Sequence, residues 1–147
     1  MMKLSFDAVE QLLARPCYLI DCLPEQVSAD GTGQYFAAEE FWLAHPEFLD
    51  LKRRFTNLLL RLMCYYHIAM EWCGWHDQPS PDRVAAAIDT VLSHGEGTID
   101  ILFPEDDALL VLNGNDLYLS VYNPNAGMQQ LMQAIARAEG LFWRDPC

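Results

Sequence analysis

The clearest pattern in the chain is an alternation of apolar and polar positions in its second half. TIDILF (98–103), ALLVLN (108–113) and DLYLSVYN (116–123) are short runs rich in aliphatic and aromatic residues. PEDD (104–107) and Asn113-Gly114-Asn115-Asp116 separate them, and both have turn composition. A two-residue type I′ turn at Gly114 and Asn115 sets Leu112 opposite Leu117 and Leu110 opposite Leu119. A first loop over 104–107 sets Ile101 opposite Leu110. Opposed residues point to the same side of a sheet. One face then collects Ile99, Ile101, Phe103, Ala108, Leu110, Leu112, Leu117, Leu119 and Val121. The other collects Asp100, Leu102, Leu109, Val111, Tyr118, Ser120 and Tyr122. A slip of one residue in either turn would mix the two sets, so the pattern predicts an antiparallel meander over about 97–122.

Helical spacing governs most of the rest. Ser5 caps a first helix with a stripe of Val9, Leu12 and Leu13, and Pro16 stops it. CYLIDCL (17–23) reads as a strand or an extended segment, SADGTG (28–33) as a loop, and 35–43 as a short helix. Phe48, Leu51, Phe55, Leu58, Leu59, Leu62 and Met63 predict a helix from Pro46 to at least Met63. In CYYHIAMEWC (64–73) the aromatics favour a strand and the Tyr65, Ala69, Trp72 spacing permits a helix. We take it as continued helix to about Cys73, ended by Gly74. Ser80-Pro81-Asp82 starts another helix with a stripe of Val84, Ile88, Val91 and Leu92, and Gly95 marks its end. Asn123-Pro124 repeats the start signal before Met128, Leu131, Met132 and Ile135, and Gly140 ends that helix. LFWRDPC (141–147) is a short apolar segment expected to pack down. The expected fold is α+β: a three- to four-stranded antiparallel sheet packed by several helices, in one domain over 1–147.

Charge narrows the choice of partners. The chain carries 21 acidic and 9 basic side chains, net −12. Such a surface repels phosphate backbones and anionic lipid, so neither nucleic acid nor a membrane is an expected partner. Lys52, Arg53, Arg54 and Arg61 form the one basic cluster. On a helix Arg54 and Arg61 share a face that is expected to be solvated. The first ten residues carry acids and lack an apolar core, so no signal peptide is expected, and no run is long enough to span a bilayer. Cys17, Cys22, Cys64, Cys73 and Cys147 are odd in number and irregular in spacing, which suits thiols in the cytoplasm, with Cys147 exposed at the tail.

The strongest hint of chemistry is Cys64-x-x-His67 followed by Cys73-x-x-His76, a set of zinc-type ligands. The five residues between the two pairs, IAMEW, hold no Gly or Pro to fold the chain back. In a helix or in a strand, Cys64 and Cys73 point opposite ways. Two core thiols and two ordinary histidines are the simpler reading, and no cofactor is expected. His67 and Glu71 have helix-pair spacing. Glu105, Asp106 and Asp107 form an acidic turn without the alternating oxygen ligands of a calcium loop. No phosphate-binding glycine loop, no GxSxG and no CxxC is present.

These features favour a non-catalytic acidic interaction domain, of the inhibitor or immunity type, that binds a basic protein. Its expected contacts are Tyr118, Tyr122, Asp100, Glu105, Asp106 and Asp107, on or beside the second sheet face. Two other classes compete. One is a ligand- or metal-binding domain, or an enzyme, with a site around Cys64, His67, Glu71 and His76. The other is a homo-oligomeric module that uses the tyrosine face as a dimer interface.

Overall fold

A computed structural model describes residues 4–146. In chain order these form α1 (Phe6–Leu13), β1 (Cys17–Asp21), α2 (Tyr35–Ala44), a 3-10 turn (Pro46–Phe48), α3 (Leu51–Met63), β2 (Ala69–Glu71) and β3 (Trp75–Asp77). They continue as α4 (Pro81–His94), β4 (Thr98–Phe103), β5 (Ala108–Asn113), β6 (Tyr118–Tyr122), α5 (Ala126–Ala138) and β7 (Phe142–Arg144). The class is α+β, but the expected sheet of three to four strands is too small. All seven strands join one antiparallel sheet in the order β3-β2-β4-β5-β6-β1-β7. The meander β4-β5-β6 is its centre. β2 and β3 extend it on one side, and β1 and β7 on the other.

The two faces separate as the alternation requires. Ile99, Ile101, Phe103, Ala108, Leu110, Leu112, Leu119 and Val121 are buried on one of them. They share a core with Phe55, Leu58, Leu59 and Leu62 of α3, Val84 and Ile88 of α4, and Met128 and Met132 of α5. Each of these side chains other than Ala108 contributes about 1.5–3 kcal/mol by leaving water. On the opposite face Val9 and Leu12 of α1 pack on Ala69, Leu102, Leu109 and Val111, with Trp75 and Tyr122 at the margin. That short helix covers β2, β4 and β5 and gives the second face a small core of its own.

Caps fix the helix ends. Ser5 Oγ accepts from Ala8 N at 3.3 Å and Ser80 Oγ from Arg83 N at 3.2 Å. Asn125, two residues after the expected start at Asn123, caps α5 through Met128 N at 2.9 Å. Asn123 is left-handed at φ 58 and donates to the Asp107 carbonyl instead. At the other end Leu141 N reaches Ala136 O at 2.8 Å and Gly140 N reaches Arg137 O at 3.1 Å, a Schellman closure with Gly140 at φ 75.

Three further expectations need correction. The helix expected to run from Pro46 to Cys73 covers only 51–63. Asp50 at φ 53 breaks it before Leu51, which leaves Phe48 67% exposed and outside the buried stripe. Beyond Met63 the chain forms the β2-β3 hairpin, with Cys73 at φ 55 and Gly74 at φ 109 in its turn. The edge of β4 needs a hydrogen-bonding partner, and Ala69, Met70 and Glu71 supply it. The β5-β6 loop is also wider than two residues, because Leu112 faces Leu119 and Leu110 faces Val121. Gly114 holds the loop open. Its N–H donates to Gly97 O at 2.9 Å, and a Cβ there would lie 2.5 Å from Val91 O. The register moves by two residues, so every side chain keeps its face.

Candidate functional site

The helix that does least for the core is α2. Its sequence, YFAAEEFWLA, is apolar nearly all round, and none of its residues is buried. Tyr35, Ala38, Glu39 and Trp42 recur at helical spacing and are half-buried against the body of the protein. Phe36 is 81% exposed and Leu43 is 46% exposed. They lie two turns apart on one flank of the helix, roughly 10 Å along its axis. On the other flank Phe41 packs its ring 4.6 Å from His45 and 5.2 Å from Phe48, so this apolar surface continues into the 3-10 turn.

A cavity opens at each end of the Phe36–Leu43 flank. The one at the N-terminal end, about 490 Å³, is lined by Leu23, Val27, Tyr35 and Phe36 and by the Asp21–Arg144 ion pair. Both charges of that pair are largely shielded from water. Asp21 also accepts from Cys22 N at 2.6 Å, and Arg144 Nε is buried without an acceptor among the described residues. Burial, and then the Asp21 carboxylate, push the Cys22 thiol up to about 11. Burial and the bond to Glu39 (2.8 Å) push the Tyr35 phenol up to about 12. Neither group is an activated nucleophile at neutral pH. The cavity at the C-terminal end, about 540 Å³, has walls from Trp42, Leu43, Leu51, Leu92 and Leu117, and Glu47, Asp50 and Asp116 stand with Lys52 at its lining.

In the basic cluster Lys52, Arg53 and Arg61 remain exposed, as a solvated face requires, while Arg54 is half-buried, and each cation has a partner. Lys52 Nζ is 2.7 Å from Asp89 of α4, and Arg53 Nε is 2.5 Å from Asp50. Arg54 Nη1 donates to the carbonyls of Glu139 and Gly140 at 3.0 and 3.1 Å. Arg61 Nε is 3.0 Å from the buried Glu139 carboxylate. Arg54 and Arg61 do share a face, and it packs on the end of α5.

Of the contacts expected from sequence, Tyr122 lies at the end of β6 nearest the acidic turn 105–107, and Tyr118 lies at the far end. Tyr118 and Tyr122 are half-buried on the second sheet face, at opposite ends of β6. Burial raises the Tyr118 phenol, and Asp116, Asp21 and Glu39 add to the shift. Burial, then Cys17, push the Tyr122 phenol up to about 12. Asp100 sits mid-sheet directly opposite Glu71, and burial, then Glu71, push its carboxyl up to about 6. Glu105 and Asp107 are exposed at the β4-β5 turn, with Asp106 half-buried between them.

The zinc-type residues are apart. Cys64 caps α3 and its thiol donates to Leu60 O at 3.5 Å. Cys73 is in the hairpin turn, and His76 Nε2 lies 3.1 Å from Trp72 O. Among the described residues no group of three or more His, Cys, Asp or Glu is placed to hold a metal; Cys147 lies outside them. His67 does not pair with Glu71. Its ring nitrogens face Asp77 at 2.6 Å and Glu105 at 3.3 Å, and the Asp77 bond raises its pKa. His67 thus ties the β2-β3 hairpin to the β4-β5 turn.

Sequence spacing placed a short helix over 35–43, where α2 lies, but gave neither its exposed flank nor the two cavities. The available signal was an aromatic-rich segment in which Phe36, Phe41 and Leu43 fit no single stripe. Among the described residues no helix is long and apolar enough to cross a membrane. No protein-family model matches the chain, and searches of curated proteins and of solved structures return no similar protein.

Proposed function

We propose that the protein is an acidic, non-catalytic interaction module that binds a basic partner protein along α2, in the manner of an inhibitor or immunity protein. One observation carries this reading: Phe36 and Leu43 stand exposed on one flank of α2 between two cavities. Exposed apolar surface with a polar rim is characteristic of docking sites, and aromatic side chains supply most of their binding energy. Glu40 and Glu47 are exposed on and beside α2, within a chain of net charge −12. A second copy would set those carboxylates against their own equivalents. A partner of opposite sign would be steered towards them. The reading places the protein in the cytoplasm, where Cys17, Cys22, Cys64 and Cys73 remain the free thiols they are here.

Affinity capture tests the proposal with the wild-type chain and the Phe36→Ser/Leu43→Ser variant at low and high salt. The expected result is a basic protein held by the wild type at low salt, weakened by salt and lost from the variant. Capture that the double substitution leaves unchanged, or partners with no basic bias, would contradict it.

A further inference from the structure

The two cavities and the flank between them specify a shape as well as a sign. Phe36 and Leu43 are seven residues apart, a spacing of roughly 10 Å along the axis. A second helix laid along α2 repeats that distance between its own positions i and i+7, so its apolar side chains can pack beside Phe36 and Leu43, each of which lines one cavity. The cavity at the C-terminal end, about 540 Å³, lies within the roughly 300–1,000 Å³ range of pockets that enclose a drug-sized body. It therefore has room for more than one side chain of such a helix. Its walls are apolar through Trp42 and Leu117, and of the three carboxylates in its lining Asp50 is held by Arg53, which leaves Glu47 and Asp116 beside Lys52. Lys52 is already committed to Asp89, while Glu47 is 68% exposed and among the described residues pairs only with His45, at 3.8 Å. The uncompensated charge at the rim is negative.

Resting on the interaction reading above, we infer that the partner presents a basic amphipathic helix. Its leucine-like residues at i, i+3, i+4 and i+7 seat in the groove along α2, and its lysines or arginines meet Glu47 and Asp116 at the rim. Helices of this kind recognise apolar grooves through those positions, and charge at the rim fixes register and sign.

The probe is a short synthetic helix with leucine at those positions and lysine elsewhere, labelled for fluorescence anisotropy. Counterparts carry glutamine or glutamate in place of lysine. The Leu/Lys peptide is expected to bind most tightly, the Leu/Gln peptide more weakly, and the Leu/Glu peptide not at all. Leu43→Arg, at an exposed position, and Glu47→Gln/Asp116→Asn are each expected to weaken the Leu/Lys peptide about tenfold. Asp7→Asn/Glu10→Gln on α1 removes the same charge elsewhere and is expected to leave binding nearly unchanged. Absence of binding to the wild type, or equal loss in the rim and α1 variants, would overturn the inference. If the peptide result fails while capture still depends on Phe36 and Leu43, the helical partner is wrong and the interaction surface stands. If capture is also independent of those residues, both readings fall.

Discussion

α2 and α3 are consecutive helices, both rich in large apolar residues, and they meet opposite fates. In α3 the apolar residues fall on one stripe, and Phe55, Leu58, Leu59 and Leu62 are all at most 1% exposed. Its cations fold back onto Asp50, Asp89 and the end of α5. In α2 the apolar residues surround the axis, and half-burial of one side leaves Phe36, Phe41 and Leu43 in water. Periodicity, and not apolar content, decided which helix became core. Apolar residues outside the stripe add nothing to the core, so their presence on α2 calls for a surface explanation.

The contrast breaks most visibly at Phe55. Phe55→Ala is expected to cost about 3–5 kcal/mol in urea unfolding, through lost burial and the cavity left behind. A loss below about 1 kcal/mol would mean that α3 is not the core helix described here. The seam between α3 and α5 offers a sharper probe. A Cβ on Gly140 would lie 2.4 Å from Arg54 Nη1 at a backbone φ of 75. Gly140→Ala is expected to cost about 1–3 kcal/mol, and less in an Arg54→Ala background. An equal cost in both backgrounds would locate the strain in the backbone alone.

The interior of the sheet adds a dependence on pH. Asp100 faces Glu71, with no ion-pairing cation among the described residues, and its carboxyl is pushed up to about 6. The folded chain therefore binds this proton more tightly than the unfolded chain does. Stability from this group is present below about pH 4 and falls as pH rises towards about 6. Asp100→Asn is expected to stabilise the fold near pH 7 by about 1 kcal/mol, a figure discounted for the part of the carboxyl that meets water. The gain should vanish near pH 4. No gain at pH 7 would show that the carboxylate finds compensation. The smallest expected effect belongs to α2: Phe36→Ser and Leu43→Ser should each shift stability by no more than about 0.5 kcal/mol. A loss on the scale of Phe55→Ala would make α2 a structural helix and remove the basis of the interaction reading.

What could be read from the chain followed the strength of its periodicities. β4, β5 and β6 are long enough to show alternation, and their two faces emerged correctly. The turn beside Gly114 was placed too tightly, yet a two-residue shift is invisible to a pattern of period two. β2, β3 and β7 are three residues each, too short to carry a period. Their strand character comes from neighbours distant in sequence, such as Leu102 and Ile101 for Ala69 and Met70. The ion pair between Asp21 and Arg144 depends on β1 lying beside β7, which no local spacing reveals. The candidate surface was illegible for the opposite reason. A segment such as FAAEEFWLA reads as core by composition, and only the positions of its neighbours show that most of it is left outside.

Site-directed photo-crosslinking tests the central claim most directly. A photoreactive phenylalanine analogue is placed at position 36 or 43 on α2, or at position 10 on α1, and each protein is irradiated in an extract of the cells that make it. The account predicts a discrete adduct with a basic protein from positions 36 and 43, reduced at high salt, and none from position 10. The same adducts from all three positions, or none from α2, would contradict it.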